Sequence, residues 1–292
     1  MDKSIRNYLI LLFLAVIWGS SFILMKRGLE VFSYTQVSTL RLFIAFISLL
    51  PFVVRALKRV EKKHWGAIII TAFLGNGIPA FLFAKAQTHL DSSFVGILNS
   101  LTPLFTLILG IYFFKSKPNK TNIIGIVIGL SGALILTFSD IGGTISINHY
   151  ALFVILATIF YAISVNVIRK YLSDLDAISI SVLAFLFLGP ASGIYVFSTD
   201  FVSLLFTDGG KTAFIYIVIL AVIGTSFAVV IFNKLVKDSS AIFASSVTYL
   251  IPIVALLWGV FDGENITIYH LAGVTVILSG VYLVNKKAQL AS

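Results

Sequence analysis

Asn76, Asn99, Thr225, Thr248 and Tyr249 set neutral hydrogen-bonding groups inside long apolar runs, and Trp18, Ser21, Phe83 and Tyr161 lie in similar runs. Amides, hydroxyls and an indole can orient a solute, but none is a strong acid, base or nucleophile at neutral pH. Two cations, Arg41 and Lys85, also fall inside apolar runs, where an ionisable side chain is by default a candidate for function. Either could attract a carboxylate or a phosphate. Both stand within about two turns of the end of their run, so the alternative is that the long side chain reaches back to the interface. Reactive constellations are missing. The sequence has no cysteine, no His-Glu-x-x-His, no Gly-x-Ser-x-Gly and no aspartate pair inside an apolar run. The chain is therefore not expected to be an enzyme, and no metal or cofactor is expected.

The elements that position these groups are helices. At helical spacing Asn76, Pro79 and Phe83 share one face, Asn99, Pro103 and Thr106 another, and Ser245, Thr248, Tyr249 and Pro252 a third. Trp18 and Ser21 share a face of the first helix, and Phe160 or Tyr161 with Ser164 a face of the sixth. Together they predict a pocket of aromatic walls and neutral polar groups, suited to a partly apolar organic solute. The competing account is that the rings are packing and the hydroxyls bond back to their own helices. Pro79, Pro103 and Pro252 each remove a helix hydrogen bond and kink the chain, so they are candidate hinges.

The solvent for most of the chain must be lipid. Of 292 residues, 59% are hydrophobic and 11% charged, against roughly 45–50% and 25% in soluble domains; mean hydropathy is +1.03. Ten runs are long enough to span a bilayer, which takes ~20 apolar residues. They are approximately 8–25, 36–54, 65–87, 94–114, 122–138, 150–168, 177–198, 212–232, 241–261 and 268–284. With both termini cytoplasmic, sixteen Lys and Arg residues fall inside and four outside, a strong positive-inside bias. That bias accounts for the net charge of +9 without a nucleic-acid partner.

An internal repeat organises these runs. At an offset of 149 residues Gly75 matches Gly224, Phe83 matches Phe232, Lys85 matches Lys234, Pro103 matches Pro252 and Gly110 matches Gly259. At 148, Gly125 matches Gly273 and Gly132 matches Gly280; at 142, Tyr8 matches Tyr150 and Arg27 matches Arg169. Five helices per copy is an odd number, so the second copy must insert upside down. The expected fold is thus an all-α membrane protein of ten transmembrane helices in two inverted five-helix repeats, residues 1–140 and 141–292. Such repeats are typical of secondary transporters, whose site lies between the halves.

The order of motifs resembles the drug/metabolite transporter superfamily in its EamA-type ten-helix branch. The residues that carry the likeness are Ala15-Val16-Ile17-Trp18-Gly19-Ser20-Ser21-Phe22, Arg41-Leu42-Phe43-Ile44-Ala45, the small-residue run from Ser92 to Pro103, and Gly259-Val260-Phe261-Asp262-Gly263-Glu264. Lys115-Ser116-Lys117 stands where the first repeat would carry the counterpart of Glu264. The resemblance implies a bacterial inner-membrane carrier, often an exporter of amino acids or other small metabolites, with a cavity lined by helices 1, 3, 4, 6, 8 and 9. A lipid or drug flippase or efflux carrier of the same fold is the alternative.

All twelve acidic residues and the four histidines lie in loops or at helix ends. A proton-driven carrier usually needs a buried relay of such groups, so transport is expected to run on the substrate gradient or by exchange. Gly125, Gly129, Gly132, Gly273 and Gly280 form small faces for close helix packing, inside the chain or, through Gly125-x-x-x-Gly129, between copies. The expected partners are a small-molecule solute and the bilayer, with the protein a monomer or a weak homodimer.

Overall fold

The computed structural model describes residues 3–115, 120–139, 149–264 and 268–285. The expected boundary between the halves at 140–141, and Lys117, Lys286 and Lys287 of the charge count, lie outside the described residues. All regular structure among the described residues is helical. The helices are α1 (Lys3–Leu29), α2 (Tyr34–Arg59), α3 (Lys62–Gln87), α4 (Ser92–Phe114), α5 (Lys120–Ser139) and α6 (His149–Tyr171). They continue with α7 (Ala177–Phe197), α8 (Gly210–Asp238), α9 (Ala241–Phe261) and α10 (Ile268–Asn285). Eight of them are long and apolar enough to cross a membrane; α5 and α10 are apolar over the shorter stretches Lys120–Gly132 and Leu271–Gly280. Large apolar side chains face outward, with Phe261 84% and Tyr112 77% exposed. A surface of that kind would aggregate in water, so the chain is a multi-pass integral membrane protein.

Sequence chemistry sets the ends of these helices. Ser33 and Gln36 form a reciprocal capping box at the start of α2. Asp176 caps α7 by accepting from the Ser179 N–H at 3.1 Å. The basic stretch after Val54 does not stop α2, which passes through a 3₁₀ turn at Leu50–Phe52 and runs on to Arg59. Pro51 sits in the first turn of that new segment, where its missing N–H costs nothing, and Arg and Lys are good helix formers.

Two helix pairs run antiparallel through close glycine contacts. Between α2 and α7, Phe46 lies on Gly189 and Phe43 on Gly193, while Gln36 bonds Asp200 at 2.8 Å near one end and Arg59 bonds Asp176 at 2.8 Å at the other. Between α5 and α10, a Cβ on Gly132 would come within 2.8 Å of the Gly273 carbonyl, and one on Gly280 within 2.5 Å of the Gly129 nitrogen. The small faces are therefore used inside the chain. The buried apolar residues form two clusters. One gathers Phe22, Phe83, Phe94 and Leu220, the other Leu14, Ile68, Phe185 and Leu235, and Trp18 packs against both.

Besides α2, four helices change turn type along their length. Residues Phe73–Gly77 of α3 and Val222–Phe227 of α8 widen into π turns. Residues Asn99–Leu101 of α4 and Ser246–Tyr249 of α9 tighten into 3₁₀ turns just ahead of Pro103 and Pro252. A proline cannot donate to the turn before it, so the regular ladder breaks there. π turns inside α-helices are frequent at functional sites.

Candidate functional site

The interrupted turns surround a cavity that leaves about 110 Å³ in which the centre of a water molecule can move. One water needs only ~10–15 Å³ on that measure. Of the residues expected to form the pocket, Trp18, Ser21, Asn76 and Phe83 line it from α1 and α3, Asn99 from α4, Tyr161 from α6, and Thr225 and Thr248 from α8 and α9. Arg41 lines it from α2, a helix outside the expected six. Tyr249 is only 3% exposed and packs in the apolar core, outside the cavity lining. Lys85 is also outside the lining; its Nζ sits 4.5 Å from the centre of the Tyr34 ring. Pro79, Pro103 and Pro252 shape the helices without lining the space.

The walls repeat across the internal duplication. Trp18 meets Phe232 edge-on with ring centroids 5.0 Å apart. Tyr161 stacks on Phe83 at 5.7 Å, and Phe83 is the sequence match of Phe232. The π turns repeat too. Asn76 Nδ2 donates to the Thr71 carbonyl at 3.1 Å, and its match Thr225 donates from Oγ1 to the Leu220 carbonyl at 2.9 Å. Each bond spans five residues, the reach of the π turn itself. Ser164 packs on Gly75, and Ser21 on Gly224. A side chain at either glycine would collide, which is why the small residue recurs in both copies.

Most cavity hydroxyls already spend their proton. Ser21 donates to the Ile17 carbonyl at 2.9 Å, Thr102 to the Asn99 carbonyl at 2.8 Å, and Thr248 to the Ser245 carbonyl at 2.9 Å. The Asn99 carbonyl, to which Pro103 cannot donate, accepts from both the Thr102 hydroxyl and the Thr102 N–H. Back-bonding and cavity lining are thus not alternatives: such a hydroxyl still offers lone pairs to a guest. Trp18 Nε1 is engaged with the Gly224 carbonyl at 3.0 Å. Thr71 Oγ1 is buried in the lining and has no hydrogen-bond partner among the described residues.

Sequence reasoning missed Thr71, Thr102 and Asn233 in the lining. Asn233 lies one residue past the apolar run taken as the eighth span, and its amide crosses to Ser181 of α7 at 2.9 Å. Thr71 and Thr102 were legible only as i−5 and i+3 neighbours of Asn76 and Asn99.

The two ends of the bundle are tied differently. At the end that carries the α9–α10 turn, Lys26 of α1 bonds Asp262 at 2.5 Å and Glu264 at 2.9 Å, and Arg27 pairs with Asp262. Glu264 also accepts from the Ser92 and Ser93 N–H groups at 3.2 Å each and from Ser92 Oγ at 2.7 Å. It therefore caps the first turn of α4 from another part of the chain, where Asp91 makes no side-chain cap. Burial pushes the Glu264 carboxyl up, but the bonds from Ser93, Ser92 and Lys26 outweigh it and hold it below the ordinary range. The opposite end has Arg6 on Asp238 at 3.1 Å and Arg169 on the Lys237 carbonyl at 2.6 Å. There Asp176, raised by burial but lowered more by Arg59 and Ser179, has a pKa of about 2. Asp174, held chiefly by Lys63, is also at about 2.

The sequence matches the EamA-like transporter family over residues 6–138 and 149–286. An Escherichia coli protein named "Uncharacterized inner membrane transporter YedA" is 26% identical over 93% of this chain and 88% of its own. A Salmonella typhimurium protein named "Probable amino-acid metabolite efflux pump" is 23% identical over 93% of this chain and 92% of its own. One protein of known crystal structure superposes on 98% of this chain and 99% of its own with a TM-score of 0.67 and 14% identity, a likeness of fold.

Proposed function

The chain belongs to the EamA-like transporter family, and on that premise we propose that it is a secondary carrier for small organic metabolites such as amino acids. It works by alternating access between two inverted five-helix halves of a ten-span bundle, acting as an exporter or facilitator. The observation that carries this reading is the mirrored wall of the cavity. Trp18 on Phe232 and Tyr161 on Phe83 join helices from different copies of the repeat, and both copies break their helices beside the same space. Two halves built alike and facing opposite ways give two states of similar energy, one open to each side. The antiparallel pairing of α5 with α10 and of α2 with α7 supports that geometry. No acidic side chain lines the cavity among the described residues, which favours drive by the substrate gradient or by exchange. The charge bias supports cytoplasmic termini, and the name of the E. coli relative supports a bacterial inner membrane. Because the glycine faces are spent within the chain, a monomer is the simplest functional unit.

Two measurements test the reading. Single cysteines replacing Lys120 and Ile268, the first residues of α5 and α10, are expected to react with impermeant reagents from opposite sides of the membrane. In proteoliposomes, counterflow of a preloaded solute is expected without an imposed pH gradient. Reaction of both cysteines from one side removes the inverted arrangement, and uptake that collapses with the pH gradient removes the mode of drive.

A further inference from the structure

Arg41 is the one charged side chain among the described residues that line the cavity. Its Nε donates to Thr225 Oγ1 at 2.6 Å, and Thr225 in turn is pinned to the Leu220 carbonyl. The guanidinium is thus held by one nitrogen, with no ion pair to any carboxylate among the described residues. The acids that do form ion pairs sit at the two ends of the bundle, each with another cation. A cation in an apolar surround without a counter-charge is costly. The arrangement is explained if the guest supplies the missing charge.

We infer that the solute is an organic monocarboxylate with an apolar body, its carboxylate received by the two terminal nitrogens of Arg41. This rests on the carrier reading for its biological meaning but not for its physical test. Three features select the class. The guanidinium fork matches a carboxylate in two parallel hydrogen bonds. It is also the one charged donor among the described residues of the lining, while the hydroxyl protons of Ser21, Thr102 and Thr248 and the Trp18 N–H are taken up by backbone carbonyls. A single positive charge balances a monoanion, whereas a phosphate ester of about −1.5 to −2 charge leaves an excess. An ammonium group on the guest meets no acid among the described residues of the lining, so a zwitterion leaves the cavity with a net charge that a monoanion removes. The rings of Trp18, Phe83, Tyr161 and Phe232 receive the body.

The experiment uses the purified full chain in lipid nanodiscs and a matched series: 3-phenylpropionate, its amide 3-phenylpropanamide, and L-phenylalanine. Binding is read by thermal shift and by tryptophan fluorescence. The carboxylate is expected to bind at least tenfold tighter than the amide and tighter than the zwitterion. Arg41→Gln is expected to erase the preference for carboxylate over amide, and Arg41→Lys to keep part of it. Should Arg41→Gln fail to fold, the wild-type ranking alone decides. Equal binding of carboxylate and amide to the wild type, an undiminished preference in Arg41→Gln, or no carboxylate binding at all overturns the inference. Counterflow in proteoliposomes is scored separately. Arg41-dependent binding without flux leaves the subsite standing and removes the carrier reading; flux of a solute whose binding ignores Arg41 does the reverse.

Discussion

The indole of Trp18 packs edge-on against the ring of Phe232, 5.0 Å between centroids, while its N–H reaches the carbonyl of Gly224 at 3.0 Å. One side chain thereby holds α1 against the π turn of α8. Trp18→Phe keeps a ring but loses the hydrogen bond, and is expected to cost about 1 kcal/mol. Trp18→Ala also loses the ring contact, at roughly 3–5 kcal/mol, and should abolish solute binding. Thermal melting and ligand-induced shifts of the two variants separate these effects.

Asn99 and Tyr249 lie within corresponding 3₁₀ turns of α4 and α9, yet only Asn99 lines the cavity. Asn99→Ala is expected to weaken ligand binding about tenfold, the scale of one lost hydrogen bond of ~1–1.5 kcal/mol. Tyr249→Phe should leave binding within twofold. Titration of each purified variant with the same ligand checks the split, and equal losses would place both residues in the site.

Glu264 joins α1, α4 and α9 at one end only. Glu264→Ala is expected to destabilise by about 2 kcal/mol, because Lys26 and the first turn of α4 lose their partner together. It should also raise the accessibility of a cysteine placed at Ser21, a reagent test made clean by the absence of native cysteines.

The pH dependence of that end has a definite sign. The Glu264 carboxyl is held below its ordinary range, so its stabilisation is fully present above the unfolded value of about 4.3. It is lost as pH falls through the lower folded value. Wild type and Glu264→Gln should therefore differ by a constant amount from pH 7 to pH 5 and converge only in stronger acid. At the other end, Asp176 caps α7 with a pKa of about 2. Asp176→Ala should cost about 1 kcal/mol at neutral pH, a difference that fades between about pH 4 and its folded pKa of about 2. Melting curves across pH test both.

Gly280 faces backbone rather than side chain: a Cβ there meets the Gly129 nitrogen at 2.5 Å. Backbone cannot rotate away, so Gly280→Ala is expected to cost roughly 1–3 kcal/mol. Gly129→Ala, whose Cβ meets nothing within 4 Å among the described residues, should be near neutral. Comparable melting temperatures would show that α5 and α10 are not in contact.

The helical class, the apolar runs and the sequence matches between the two halves were legible because each is a local or periodic property of the chain. A run of apolar residues needs lipid whatever it packs against, and a match such as Gly75 with Gly224 needs no coordinates. The polar faces were legible for the same reason: Asn76 and Phe83 lie on one side of a helix by spacing alone, and both line the cavity. Tertiary packing decided what spacing leaves open. Tyr249 is within one residue of Thr248, yet the 3₁₀ turn at Ser246–Tyr249 shifts the periodicity by which its face was assigned. For Arg41 the sequence leaves a solute contact and an interfacial cation both open, and only the approach of α8 gives it Thr225 as a partner. Glu264 reaches Lys26, 238 positions away, because α1 and α9 end side by side. Pairings at that separation depend on how whole helices cross, which is set by the summed fit of many side chains and written in no single stretch of the chain.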